Sequence, residues 1–307
     1  MRRVVLLGPQ RLSPIIGRVA ADEDLVGPVA VVTAGWQERE PEDQELVAAL
    51  GLPAINLELY ARGEDVRDRD PEYALAHRAR QDKLRELQEL YRFRLGFLMQ
   101  AAADLLGRSG SASLLDPERE AAMSSIQDLD RHHLARVADV NLRFEAALKP
   151  AERPVLRAHR SEVAAILEDC GAVVIAGGHV AVLLNRLRLF GVARNLRHKP
   201  VLAWSAGAMA MTDRVLLFHD FPPEGAGFSE VLDRGERLVP AVAVLPHARH
   251  RLDHGNPVRM KLLARRFPST RICALDENQY LTWDGSELIC HGGARVVRGD
   301  GRLEAQP

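Results

Sequence analysis

The sequence predicts an α/β protein: a mostly parallel sheet flanked by helices, with a helical insertion and C-terminal β-hairpins. Three observations carry this reading. Short, continuously apolar runs recur toward both ends of the chain, as expected of parallel strands covered on both faces. Stretches with helical apolar spacing separate them. Several runs end directly in glycine or in a polar residue, as strands do when they feed a ligand crevice.

The elements follow in order. Val4–Gly8 is an apolar run stopped by Gly8-Pro9, and Val29–Thr33 is another stopped by Ala34-Gly35. Pro41–Leu50 has helical spacing with acidic residues in its first turn; Gly51-Leu52-Pro53 ends it, and Ala54–Leu59 reads as a third strand. From 65 to 150 the texture changes. Pro71–Leu106 has almost no glycine, and Leu87, Leu90, Leu95 and Leu98, with Tyr91 and Phe97, recur at roughly helical spacing. R-S-G-S-A-S at 108–113 breaks that pattern, and Asp116-Pro117-Glu118 opens a further helix to Leu148. The segment reads as a helical insertion within one domain spanning 1–307. It is either a charged solvated bundle or a lid or surface for homo-oligomerisation.

The α/β pattern resumes after Pro154. His159–Asp169 is helical, Ala172–Ala176 is a strand followed by Gly177-Gly178, and Val180–Phe190 is helical up to Gly191. Val201–Trp204 runs into Ser205, and Ala241–Leu245 runs into Pro246-His247. Pro257–Phe267 is a basic amphipathic helix, and Arg271–Leu275 leads into Asp276-Glu277. Tyr280–Val297 alternates around Asp284-Gly285 and Gly292-Gly293, as hairpins do.

Composition narrows the function classes. The 307 residues are 47% hydrophobic and 27% charged, the balance of a soluble globular protein. With 41 basic and 42 acidic residues the net charge is −1, so nothing global points to nucleic acid or an anionic membrane. Three widely spaced cysteines, Cys170, Cys273 and Cys290, suggest neither a disulfide framework nor a thiolate zinc site. No stretch approaches the length of a membrane span, and the apolar run after M-R-R is too short for a signal sequence. The expectation is a cytoplasmic protein without a cofactor.

Gly177-Gly178, Ser205, His247 and Asp276-Glu277 share one position: each directly follows an expected strand. A serine, a histidine and a carboxylate so placed form a nucleophile, a base and an orienting acid. The trio is needed because a serine hydroxyl is a poor nucleophile at neutral pH. An imidazole must take its proton, and a carboxylate must fix the imidazole tautomer. The small residues Ala206, Gly207 and Ala208 relieve crowding at a strand–Ser–helix elbow. The N–H groups of Ala206 and of the Gly177-Gly178 turn are candidate oxyanion donors. A rival reading takes His247, His250, Asp253 and His254 as zinc ligands. No HExxH accompanies them, and the neighbouring arginines oppose a dication, so no metal is expected.

G-G at 177–178, W-S-A-G-A at 204–208, L-P-H at 245–247 and L-D-E at 275–277 resemble, in this order, the peptidase E and cyanophycinase family of serine hydrolases. The resemblance covers 1–60 and 155–305 and implies a class I glutamine amidotransferase-like fold. It implies Ser205 as nucleophile, His247 as general base and Glu277 as the acid, with adjacent Asp276 as the fallback. Gly178 and Ala206 would hold the oxyanion. The order Ser, His, Glu differs from the Ser, acid, His of α/β-hydrolases, and serine at the elbow argues against a glutamine amidotransferase. The implied substrate is a small peptide or amide, with an aspartyl preference that needs a cation such as Arg249 or Arg251. His179 departs from the small polar residue that follows Gly-Gly in the family, and it bears on substrate binding. The alternative is a catalytically silent binding or scaffold protein that acts through the 65–150 insertion.

Overall fold

Unbroken aliphatic and β-branched runs form strands here, and amphipathic stretches of greater length form the helices that cover them. The computed structural model describes residues 3–196, 198–221 and 227–305. The chain begins β1 (Val4–Leu7), α1 (Ile16–Asp22), β2 (Val29–Val32), a 3-10 helix (Ala34–Arg39), α2 (Gln44–Leu50) and β3 (Ala54–Asn56). Then come α3 (Leu59–Arg69), α4 (Pro71–Gly107), α5 (Ala112–Leu148) and α6 (Pro154–Asp169). Alternation resumes with β4 (Ala172–Ile175), α7 (Val180–Leu189), α8 (Val192–Asn195), β5 (Val201–Trp204) and α9 (Ala206–Met211). Next are β6 (Arg214–Leu217), β7 (Glu230–Arg234), β8 (Val242–Pro246), α10 (Ala248–Arg251), α11 (Pro257–Arg266) and β9 (Arg271–Leu275). The last strands are β10 (Tyr280–Trp283), β11 (Leu288–His291), β12 (Arg295–Val297) and β13 (Leu303–Ala305).

A seven-stranded sheet has the order β11-β10-β1-β5-β4-β2-β3. Its five strands from β1 to β3 are parallel, and the β10–β11 hairpin adds antiparallel strands at one edge. Alternate residues of the central strands face opposite layers. Val5, Leu7, Val31 and Val174 pack with Ile16 and Val19 of α1 and Leu46 and Leu50 of α2. Val4, Leu6, Val32 and Ile175 pack with Val66 of α3, Val163 of α6 and Leu183 of α7.

The expected single sheet is in fact divided. β8 and β9 pair in parallel within a separate four-stranded sheet, β13-β12-β9-β8. Gly292 and Gly293 do not close a hairpin. Their φ angles of 64° and 75° carry the chain from β11 in the large sheet to β12 in the small one. A Cβ at Gly292 would lie 2.1 Å from the Asn278 carbonyl oxygen, so this crossover needs glycine. β6 and β7 form a further antiparallel pair.

The expected insertion is a pair of 37-residue helices, α4 and α5, each about 55 Å long. Asp70 caps α4 by accepting from the Tyr73 N–H at 3.0 Å, and Pro71 occupies the first position, where no N–H is required. α5 begins at Ala112, before the Asp116-Pro117 start expected from sequence, and contains Pro117. The hairpin is bolted to the body through Arg266 of α11. Its guanidinium donates to both Asp130 oxygens at 2.6 and 2.7 Å and to the Tyr91 hydroxyl at 2.6 Å. Leu95, Met99 and Ile126 pack with Leu245, Leu262 and Leu263 around this buried group. No helix among the described residues is long and apolar enough to cross a membrane.

Candidate active site

β5 is the middle strand of the large sheet, between β1 and β4, and the next residue, Ser205, has φ 48° and ψ −116°. For a non-glycine residue this backbone conformation costs about 1–3 kcal/mol and persists only where the surroundings impose it. Here they do. The Ser205 N–H donates to the Leu7 carbonyl at 3.1 Å, and its carbonyl accepts from Met209 N–H at 3.0 Å. Gly207 allows the turn, because a Cβ there would lie 2.4 Å from the Ile175 carbonyl oxygen. A Cβ on Gly177 would come 3.1 Å from that of Ser205.

His247 follows β8 with φ 59° and ψ 33°, and its N–H donates to the Leu275 carbonyl at 2.9 Å. The two sheets thus meet at their strand ends, and Ser205 Oγ lies 3.4 Å from His247 Nε2. That contact is at the long end of hydrogen-bond distance. Burial lowers the pKa of His247, and the charge of Arg251 lowers it further. Glu277 and, less strongly, Asp276 act in the opposite sense. The net effect favours the neutral imidazole, the form that accepts a proton.

The two adjacent carboxylates are placed differently. Asp276 is buried; its Oδ1 accepts from the Arg249 N–H at 2.8 Å, and Oδ2 lies 3.4 Å from the Arg295 guanidinium. Glu277 is half-buried, and its charge is the larger carboxylate influence on His247. Neither carboxylate is hydrogen-bonded to the His247 ring among the described residues.

Gly178 has φ 108°, and a Cβ there would lie 2.3 Å from the Gly35 carbonyl oxygen. The next N–H, of His179, donates to that same oxygen at 2.7 Å and pins the turn. The Gly178 N–H lies in this turn, and the Ala206 N–H is the first of α9, ahead of the helix's own acceptors.

Two clefts flank this centre, and Gly178, Ser205 and His247 line both. The larger, about 600 Å³, runs along Gln10, Arg11, Trp36, Arg39 and Glu45. The smaller, about 270 Å³, is walled by Val180, Met209, Leu217 and Phe218, with Arg251 at its edge. A substrate continuing on both sides of a reacting carbonyl fits this layout.

His179 and Arg249, expected to touch substrate, line neither cleft. His179 Nδ1 instead caps α7 by accepting from Val182 N–H at 3.3 Å. Arg249 is exposed and contributes its backbone N–H to Asp276, while Arg251 takes the place beside the small cleft. Among the described residues, no three His, Cys, Asp or Glu side chains are grouped to hold a metal ion. The wall formed by Gln10, Arg11, Trp36 and Arg39 was not anticipated. The strand-end rule that finds Ser205 applies equally to β1 and β2, whose ends carry these residues. Gln10 organises that wall: its Nε2 donates to the Gly8 and Pro9 carbonyls, and its Oε1 accepts from Ile15 N–H at 2.9 Å.

No family model matches the chain, and no curated protein matches it in sequence. Among solved structures it is similar to a peptidase from an acI-B1 Actinobacterium, at 12% identity and a TM-score of 0.49. That alignment covers 100% of this chain and 96% of the other. It is also similar to a putative Peptidase E protein from Listeria monocytogenes EGD-e, at 11% identity and a TM-score of 0.44, over 94% of this chain and 98% of that one.

Proposed function

We propose that this chain is a serine hydrolase that cleaves small or acidic peptides through an acyl-enzyme. The carrying observation is Ser205, held on a strained strand–helix turn between two clefts with Oγ facing His247 Nε2 at 3.4 Å. In this reading Ser205 Oγ attacks the scissile carbonyl carbon while His247 Nε2 takes its proton. The oxyanion accepts from the Gly178 and Ala206 N–H groups. The C–N bond then breaks, His247 returns the proton to the leaving amine, and an ester on Ser205 remains. Water, deprotonated by His247, releases the acid and restores the serine. Glu277 orients and stabilises the imidazolium. Asp276 is committed to Arg249 N–H and Arg295, and it fixes the backbone on which His247 sits.

Arg251, at the small cleft, supplies the cation for an acidic side chain or terminal carboxylate. Hydrolysis of an aspartyl and isoaspartyl dipeptide panel by wild type and Ser205→Ala tests the reading. Turnover that is absent from wild type, or that survives in Ser205→Ala, contradicts it.

A second reading, an assembly role for the helical hairpin, rests on a separate observation. Leu90, Phe93 and Phe97 are 57%, 68% and 67% exposed on the outward face of α4. Sedimentation of wild type against Phe93→Glu tests it, and a monomer at every wild-type concentration excludes self-association.

A further inference from the structure

A cavity of about 380 Å³ lies between α11, the β12–β13 turn and the loop after α10. His254, Pro257, Arg295, Asp300, Arg302 and Glu304 are on its wall. Both ring nitrogens of His254 are buried, and neither has a hydrogen-bond partner among the described residues. A neutral imidazole carries one donor and one acceptor, and leaving such groups unmade costs about 1–3 kcal/mol each. An orphan pair of this kind, facing a cavity, points to an occupant.

The charges define what that occupant is. Arg302 is matched by Asp300 at 2.6 Å and by Glu304 at 3.7 Å. Three carboxylates act on His254, Asp276 most strongly, and each is engaged; Asp276 by Arg295. Asp220 accepts from Arg259 at 2.6 Å and from Asp253 N–H at 2.8 Å, and Asp253 accepts from Gly255 N–H at 3.1 Å. Among the described residues Arg295 has only the long 3.4 Å ion pair with Asp276, and it retains a third of its side-chain exposure. Pro257 places the first turn of the ten-residue α11, the positive end of its dipole, on the same wall.

We propose that this cavity binds a small oxyanion, a carboxylate or a phosphate group, through His254 and Arg295, and that its occupancy is transmitted to Ser205 and His247. The connection is short. Arg295 reaches Asp276 Oδ2, and Asp276 Oδ1 accepts from Arg249 N–H at 2.8 Å, two residues beyond His247. An anion that draws Arg295 toward the cavity leaves the Asp276 charge less compensated and loosens the anchor of α10. The binding half of the proposal stands on the cavity alone. The transmission half rests on the serine hydrolase reading.

The test is a titration of protein carrying ¹⁵N-labelled histidine with inorganic phosphate and, separately, with acetate, chloride holding the ionic strength constant. One imidazole, identified by its absence in His254→Phe, is expected to shift saturably with a dissociation constant of about 1 mM. Arg295→Gln is expected to weaken that response about tenfold or more, the loss of one charged hydrogen bond. A stronger response to phosphate identifies phosphoryl ligands, and a stronger response to acetate identifies carboxylates. No saturable shift of that imidazole, or an undiminished response in Arg295→Gln, overturns the site. The labelling rate of Ser205 by a fluorophosphonate is then measured with and without saturating anion. A change in wild type that disappears in His254→Phe is expected. A rate indifferent to bound anion overturns the transmission. A protein that binds the anion yet never labels refutes the hydrolase reading and the transmission with it, while the site stands.

Discussion

Replacing His77 with Phe is expected to remove a defined part of the protein's acid sensitivity. His77 projects from α4 and is 7% exposed, with ring centroids 5.6 Å from Tyr73 and 6.5 Å from Phe144. Burial holds its pKa down at about 4, and the guanidinium charges of Arg80, Arg186 and Arg67 add to that effect. In the unfolded chain the ring titrates near its ordinary value of 6.5. Between these values the unfolded chain binds a proton that the folded chain does not. Stability therefore falls as the pH is lowered through this window. The loss reaches about 2 kcal/mol by about pH 5 and about 3 kcal/mol by about pH 4. His77 Nε2 has no partner among the described residues, but the ring is hydrogen-bonded to the Asn185 side chain, so Phe, which keeps an aromatic ring and removes the proton site, is expected to cost about 1–3 kcal/mol at neutral pH. Urea unfolding of both proteins at neutral pH and near pH 5 gives the difference directly. His133, His247, His254 and His291 are also lowered, but they are common to both proteins and cancel. Equal dependence of stability on pH in the two proteins would refute the reasoning.

The other predictions concern the site and its attachment. Glu277→Gln is expected to lower kcat about 100-fold or more with little change in unfolding midpoint, whereas Asp276→Asn costs about 1–3 kcal/mol of stability by weakening the Arg295 contact; steady-state kinetics and urea melts on the same preparations separate the two roles. Arg266→Met leaves Asp130 buried and unpaired, so a loss of about 3–5 kcal/mol is expected, and Arg266→Met with Asp130→Leu recovers much of it in the same melts. If the two substitutions prove additive, the buried pair is not what holds the helical hairpin. The depressed basicity of His247 predicts an acid limb of kcat/KM with its midpoint below the ordinary histidine value, and a midpoint above that value would contradict a desolvated base.

Much of this was legible because it is local. Val201–Trp204 and Arg271–Leu275 match the expected strands residue for residue, since unbroken aliphatic runs between turn residues have few other conformations. The small residues after Ser205 and the glycines at 177–178 likewise report a local need for space. What sequence did not show depends on partners distant in the chain. That β8 and β9 leave the large sheet depends on β12 pairing with β9, and the Gly292-Gly293 crossover looks in sequence like a hairpin turn. The β6–β7 pair has little signal in the sequence because Arg214–Leu217 and Glu230–Arg234 are only four and five residues long, the second mostly polar, and each pairs with the other. α5 starts before its Asp-Pro signal, and Pro117, its sixth residue, forfeits one backbone hydrogen bond inside the helix. In the site, Asp276 and Glu277 are adjacent, and burial and the contacts with Arg249 N–H and Arg295 tell them apart.

The most direct measurement on the central claim is fluorophosphonate labelling of the purified protein, with the modified residue located by peptide mass spectrometry. The account predicts a single adduct on Ser205, abolished in Ser205→Ala and strongly slowed in His247→Gln. An unlabelled wild-type protein, or an adduct on any other residue that persists in Ser205→Ala, would contradict it.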